Sequence, residues 1–224
     1  MVSKGGNKLE IHVISNGKLE CEELTEVVAH IHPYITAIHL REQTKSAREI
    51  YSIIQSFVSK GVPLEKIIVN DRVDVAIASG VKGVQLSYRS LEVPLVKKHF
   101  PNLKIGKSVH STEEALKAEK EGAHYLFYGH IFPTPAKKGL SPKGVASLRT
   151  LTKLVSIPVI AIGGIKVDNV ADLRFAGAEG IAMMSPIWNA TSPVKVAREF
   201  SKVAHHHVNK RSDQNEISHQ WRHS

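Results

Sequence analysis

Short apolar runs alternate with longer amphipathic stretches along almost the whole chain. The run at 9–14 predicts a first strand, and 21–31 a helix. A second strand at 37–41 precedes a helix over 46–60, where Ile50, Ile53, Ile54 and Phe57 share one face at helical spacing. Strands are then predicted at 66–70 and 83–86, with helices over 71–78 and 90–99. In the second half, strands fall at 103–109, 124–129, 158–163 and 180–185. Ser111-Thr112-Glu113-Glu114 has the form of a capping box and opens a helix to 121. A long loop over 131–142 leads into a helix ending near 155, and further helices cover 167–176 and 192–204.

Eight strand–helix pairs in about 200 residues match the lower size range of a barrel of this kind. Strands separated by helices pair in parallel, and eight of them can close on themselves. The fold class is therefore α/β, a single (β/α)8 TIM barrel. An open doubly wound sheet is the rival, but it calls for a glycine-rich turn after the first strand. Ser15-Asn16-Gly17-Lys18 offers one glycine there. Residues 1–204 form the barrel domain in this reading. Residues 205–224 are a polar tail, holding five of the thirteen histidines, without apolar periodicity, and read as frayed or disordered. Three adjacent histidines, His205 to His207, do not make a facial metal site.

Composition narrows the possibilities. A 224-residue chain with 42% hydrophobic and 23% charged residues can bury a sizeable core without disulfides or metal. No apolar run approaches the roughly 18 residues of a membrane span, and Met1 to Asn7 lack the apolar core of a signal peptide. A single cysteine, Cys21, excludes intramolecular disulfides and points to a reducing, cytoplasmic home. The net charge of +9 suits phosphorylated small molecules or nucleic acid. Dispersed positive residues and only 6% aromatics argue against nucleic acid and for a small anionic ligand. Homo-oligomerisation is left open.

Barrel enzymes carry their chemistry at the C-terminal ends of the strands. Arg41 and Glu42, Asn70 to Arg72, Gln85 to Arg89, Ser108 and His110, Gly129 and His130 with Lys137, Gly163-Gly164, and Met184-Ser185 stand there. The seventh and eighth loops are the usual phosphate cradle of such barrels, where glycines let backbone N–H groups approach an oxyanion. A tight turn is the plainer reading of Gly163-Gly164. Lys137 could fold over an anion, while Lys138 is solvated. Arg41 can fork onto a carboxylate or phosphate, or pair with Glu42 or Asp71. His130 ends a strand beside a Pro-rich loop, where an imidazole can take and return a proton or merely bond into the rim. His110 reads as a helix-entry residue. Asp71 and Asp74 are too few for a magnesium cage.

Several segments together resemble the thiamin phosphate synthase superfamily: His39-Leu40-Arg41-Glu42, Val69 to Ala76, Gly83-Val84-Gln85-Leu86, Gly106-Lys107-Ser108-Val109-His110-Ser111, Gly129 to Thr134, Lys137-Lys138-Gly139 and Ile162-Gly163-Gly164-Ile165. The resemblance runs from Leu9 to about Ala204. The synthase pattern has Gln and Lys where this chain has His39 and Gln43, and Pro where it has His130. It also has acids after the fourth strand, one of which shares magnesium with the Asp matching Asp71. This chain has Ser87-Tyr88-Arg89-Ser90 instead. Those departures are similar to the TenI-type thiazole tautomerases. That resemblance implies an isomerase aromatising a carboxylated dihydrothiazole phosphate, with no metal or cofactor. His130 and Ser108 would be catalytic, and Arg41, Asn70, Lys137, Gly163, Gly164, Met184 and Ser185 would bind substrate. The rivals are a magnesium-dependent thiamin phosphate synthase and a non-catalytic barrel that binds a pathway metabolite and regulates through a partner.

Overall fold

The computed structural model describes residues 8–205. The expected tail at 205–224 lies outside them apart from His205, which ends the last helix. The strands are β1 (Glu10–Ile14), β2 (Ala37–Leu40), β3 (Ile67–Asn70), β4 (Gly83–Leu86), β5 (Lys104–Val109), β6 (Tyr125–Gly129), β7 (Val159–Ile162) and β8 (Gly180–Met183). Each pairs in parallel with its sequence neighbours, and β8 returns to β1, so the sheet is a closed barrel. The helices between them are α1 (Cys21–Ile31), α2 (Ala47–Ser59), α3 (Val73–Ser79), α4 (Val93–His99), α5 (Thr112–Glu121), α6 (Gly144–Leu154), α7 (Val170–Phe175), α8 (Ser185–Trp188) and α9 (Pro193–His205).

Alternation along each strand sorts side chains into two cores. Outward residues such as Val13, Ile38, Val69, Val84 and Ile181 meet the buried faces of the helices, including Ile50, Ile53, Ile54 and Phe57 of α2. Inward residues fill the barrel: Ile14, Ala37, Ile68, Tyr125, Phe127, Ile160 and Ala182 make its apolar lining. His12, His39 and Gln85 are buried polar residues, each at most 1% exposed.

Departures from the expected boundaries have local causes. Helix α3 begins at Val73 rather than 71, because Asp71 has a φ of 63° and cannot lie in a right-handed helix. The helix expected over 167–176 splits into a 3-10 turn at Val167–Asn169 and α7. The four-residue α8 falls in the loop after β8, too short for any periodicity to reveal it. At α5, Ser111 Oγ accepts from Glu114 N at 3.2 Å, but the Glu114 carboxylate accepts from His110 N at 2.7 Å, one residue before the position that would close the box.

Candidate active site at the C-terminal mouth

The loop after β6 is laid against the loop after β7 by backbone bonds. Ile131 N donates to Ile162 O at 2.9 Å and Phe132 N to Gly163 O at 3.0 Å. Gly163 and Gly164 have φ of 98° and 67°. A Cβ on Gly163 would run into the Cβ of His130, and one on Gly164 would lie 2.5 Å from Pro133 O. These glycines therefore admit the β6 loop as well as turning the chain. Ser185 is exposed at the first residue of α8, and Met184 packs with Ile162 on the inner apolar lining.

His130 is half-buried, and its Nε2 is enclosed with no hydrogen-bond partner. Its carbonyl accepts from Lys143 N at 2.8 Å, so the backbone is anchored while the ring keeps a free nitrogen. Ser108, inward on β5, accepts from Gln85 Nε2 at 3.0 Å. Its hydroxyl proton is thus left to donate elsewhere. Gln85 Oε1 is buried without a partner. Gly106 makes room for this pair, since a Cβ there would meet Gln85 Oε1 and the Tyr125 ring.

On the opposite rim, Arg41 is half-buried with its backbone N bonded to Ser15 Oγ at 2.9 Å. Neither ion pair left open for it forms. Glu42 takes Lys45 Nζ at 2.8 Å, and Asp71 takes serine hydroxyls, so the guanidinium has no ion-pair partner among the described residues. Asn70 ends β3, with its Oδ1 buried and unpartnered. Lys137 sits exposed at the end of the Pro135–Lys137 turn in the loop after β6. His110 is exposed at the entry to α5, with Nδ1 on Gly129 O at 3.2 Å, as the helix-entry reading expects.

Below this rim, Glu10 Oε2 bonds His12 Nε2 at 2.8 Å, and His12 Nδ1 bonds His39 Nε2 at 2.8 Å. Burial pushes both imidazoles below their ordinary range, His39 well below, and the His12 hydrogen bond holds the Glu10 carboxyl down. Burial raises the Tyr125 hydroxyl, keeping it neutral. Sequence reading placed Gln85 at a strand end without giving it a role, and passed over His12. The available signal was a polar residue at an inward position of an otherwise apolar strand. Two clefts, of about 480 and 600 Å³, open near the N-terminal ends of the strands, and no residue predicted for the site lines either of them.

Comparison with known proteins carries this constellation further. The thiamine monophosphate synthase family model matches residues 11–187. The chain belongs to that family. It is 38% identical over 197 residues to the thiamine-phosphate synthase of Pyrococcus abyssi, covering 88% of this chain and 95% of the relative. The thiamine-phosphate synthase of Chlorobium phaeovibrioides is 40% identical over 73% of this chain and 79% of its own length. The solved structure of thiamine phosphate pyrophosphorylase from Pyrococcus furiosus superposes with a TM-score of 0.75 at 38% identity, over 88% of this chain and 96% of that one.

These matches correct the isomerase expectation. His39, Gln43, Arg89 and His130 suggested the tautomerase branch, but they are a handful of positions. Identity spread over the barrel aligns the chain with enzymes named as synthases. Membership of this enzyme family and the barrel architecture stand. Among the described residues no helix is long and apolar enough to cross a membrane.

The magnesium expected of synthases in this family does not fit the residues present. Asp71 Oδ1 is occupied by Ser87 Oγ at 2.6 Å and Ser90 Oγ at 2.5 Å, and Lys107 Nζ donates to Ser87 O at 2.9 Å. No second carboxylate joins it, and no group of three or more metal-binding side chains occurs among the described residues. A hydroxyl-capped carboxylate beside the Lys107 ammonium, with no second carboxylate, is a poor site for a hard dication.

Proposed function

We propose that the chain is a transferase of the thiamine-phosphate synthase type, joining a pyrimidine pyrophosphate to a thiazole phosphate. The observation that carries this reading is the 38% identity to thiamine-phosphate synthases over 95% of a relative's length. In that reaction the bond between the pyrimidine's methylene carbon and pyrophosphate breaks, and a bond from carbon to the thiazole nitrogen forms. The leaving pyrophosphate takes the electron pair, so fixed positive charge near it lowers the barrier. Arg41, half-buried and without an ion-pair partner among the described residues, supports that role. Lys137 would add charge from the β6 loop. Backbone groups at Gly163, Gly164, Met184 and Ser185 would hold the thiazole's phosphate. The free Ser108 hydroxyl proton and the His130 Nε2 would bond ring atoms of the substrates, and Asn70 would line the same mouth. No step is routed through a metal, because serine hydroxyls hold Asp71 Oδ1 and no metal-binding cluster surrounds it among the described residues.

The test is incubation of the two substrates with the protein, with and without magnesium, and chromatography of the product. Thiamine phosphate should form, and Arg41→Ala should slow it by about 10²- to 10³-fold, the usual effect of removing one charge-stabilising donor. A second reading has its own support: Asp71, its Oδ1 held by two serines, and Arg89 at the rim suit a barrel that binds the phosphorylated ligands without joining them. Calorimetric binding of both substrates with no product under any magnesium concentration would establish that second reading and remove the first.

A further inference from the structure

The barrel interior contains a hydrogen-bonded chain that the transferase reading does not use. Its chemistry gives it a direction. Glu10 is a carboxylate held ionised by its bond to His12, so it can only accept, and His12 Nε2 must carry the proton. His12 is fully enclosed and neutral, which leaves Nδ1 as an acceptor. The 2.8 Å contact with His39 then requires a proton on His39 Nε2. His39 is 0% exposed and also neutral, so its Nδ1 is a bare lone pair, enclosed and without a partner. Across β2 and β3 His39 pairs with the inward Ile68, so Asn70 is the next residue of β3 on the same face, and its Oδ1 is enclosed and unpartnered too. An amide oxygen facing an imidazole lone pair is repulsive. The same carboxamide turned by half a rotation meets the lone pair with an N–H, and its oxygen then faces the mouth.

We propose that Glu10, His12 and His39 form a one-way hydrogen-bond chain that fixes the carboxamide of Asn70 with its NH2 on His39 Nδ1 and its oxygen toward the mouth, so that the site takes a ligand N–H or O–H donor at Asn70. Glu10 is then a positioning residue at the opposite end of the barrel, with its side chain 39% exposed. The other groups facing the chain are compatible with this direction. Lys104 lies with Nζ 5.2 Å from the Tyr125 ring centroid, and its charge disfavours a second positive charge on either histidine. Tyr125 and Phe127 supply ring contacts to His12 at 5.9 and 5.5 Å, and Phe127 to His39 at 4.9 Å, around two rings at most 1% exposed.

Nitrogen-15 NMR of the full chain at neutral pH reads the arrangement directly. Both rings should be neutral with the proton on Nε2. Through-hydrogen-bond nitrogen–nitrogen couplings should link His12 Nδ1 to His39 Nε2 and His39 Nδ1 to Asn70 Nδ2. Glu10→Ala should mix the tautomers and abolish the coupling to Asn70, while Glu10→Gln, which keeps an acceptor oxygen, should restore it. A proton on His39 Nδ1 in the native protein, or no coupling to Asn70, would overturn the proposal even if Glu10→Ala fails to fold. Full retention of the Asn70 coupling in a folded Glu10→Ala protein would overturn the positioning role of Glu10.

Discussion

At Gly163 the backbone stands at a φ of 98° and the Cβ of His130 occupies the place a side chain would take. Gly163→Ala should cost roughly 1–3 kcal/mol in denaturant unfolding from backbone strain alone. It should also weaken binding of inorganic phosphate measured by calorimetry, because the β6 and β7 loops must separate. The same residue scale carries a pH dependence. His12 and His39 are buried and neutral, with native values below the ordinary 6.5 that applies in the unfolded chain. The unfolded state therefore binds protons first, and stability is complete above about pH 6.5 and lost as pH falls through the lowered native values. The urea midpoint should be flat above neutrality and fall on the acid side. His39→Gln should flatten that acid limb, and an unchanged slope would show that other groups control it.

Elements show where local sequence suffices. Helix α2 starts on a reciprocal cap: Ser46 Oγ accepts from Glu49 N at 3.3 Å and Glu49 Oε2 from Ser46 N at 2.7 Å. Its apolar face was visible at helical spacing, and Ser46→Ala should lower stability by about 1 kcal/mol in thermal or urea unfolding. Strands β4 and β6 likewise stood out as short apolar runs between polar turns. By contrast, the start of α3 depended on a left-handed Asp71 stabilised by serines sixteen and nineteen residues further on, a contact no local window contains. The half-closed cap of α5 has a similar origin, since Glu114 turns to the backbone of His110.

Across the whole molecule, the C-terminal helix secures the closing seam of the barrel. Leu9 N bonds Ala204 O at 3.1 Å, Arg174 donates to the carbonyls of Val203 and Ala204, and Phe200 on the inner face of α9 is 2% exposed. Phe200→Ala should cost about 3–5 kcal/mol and loosen β1 and β8 together. Hydrogen exchange should then rise in both strands at once, whereas a rise confined to α9 would mean the seam closes without it.

The alternation of apolar runs and amphipathic stretches was enough to specify eight strand–helix units, because burial on one or both faces leaves a period in the residues themselves. It also placed Arg41, Asn70, Ser108, His130 and the Gly163-Gly164 turn at strand ends, where a barrel gathers them. Which groups touch was written nowhere along the chain. Among the described residues Arg41 is left without an ion-pair partner because Glu42 and Asp71 find others, and Lys137 is exposed. The Glu10–His12–His39 chain forms because two adjacent strands bring inward side chains 27 residues apart into contact, so closure of the sheet creates it. Periodicity records the solvent exposure of each residue, while hydrogen-bond partners depend on distances set by the register between strands.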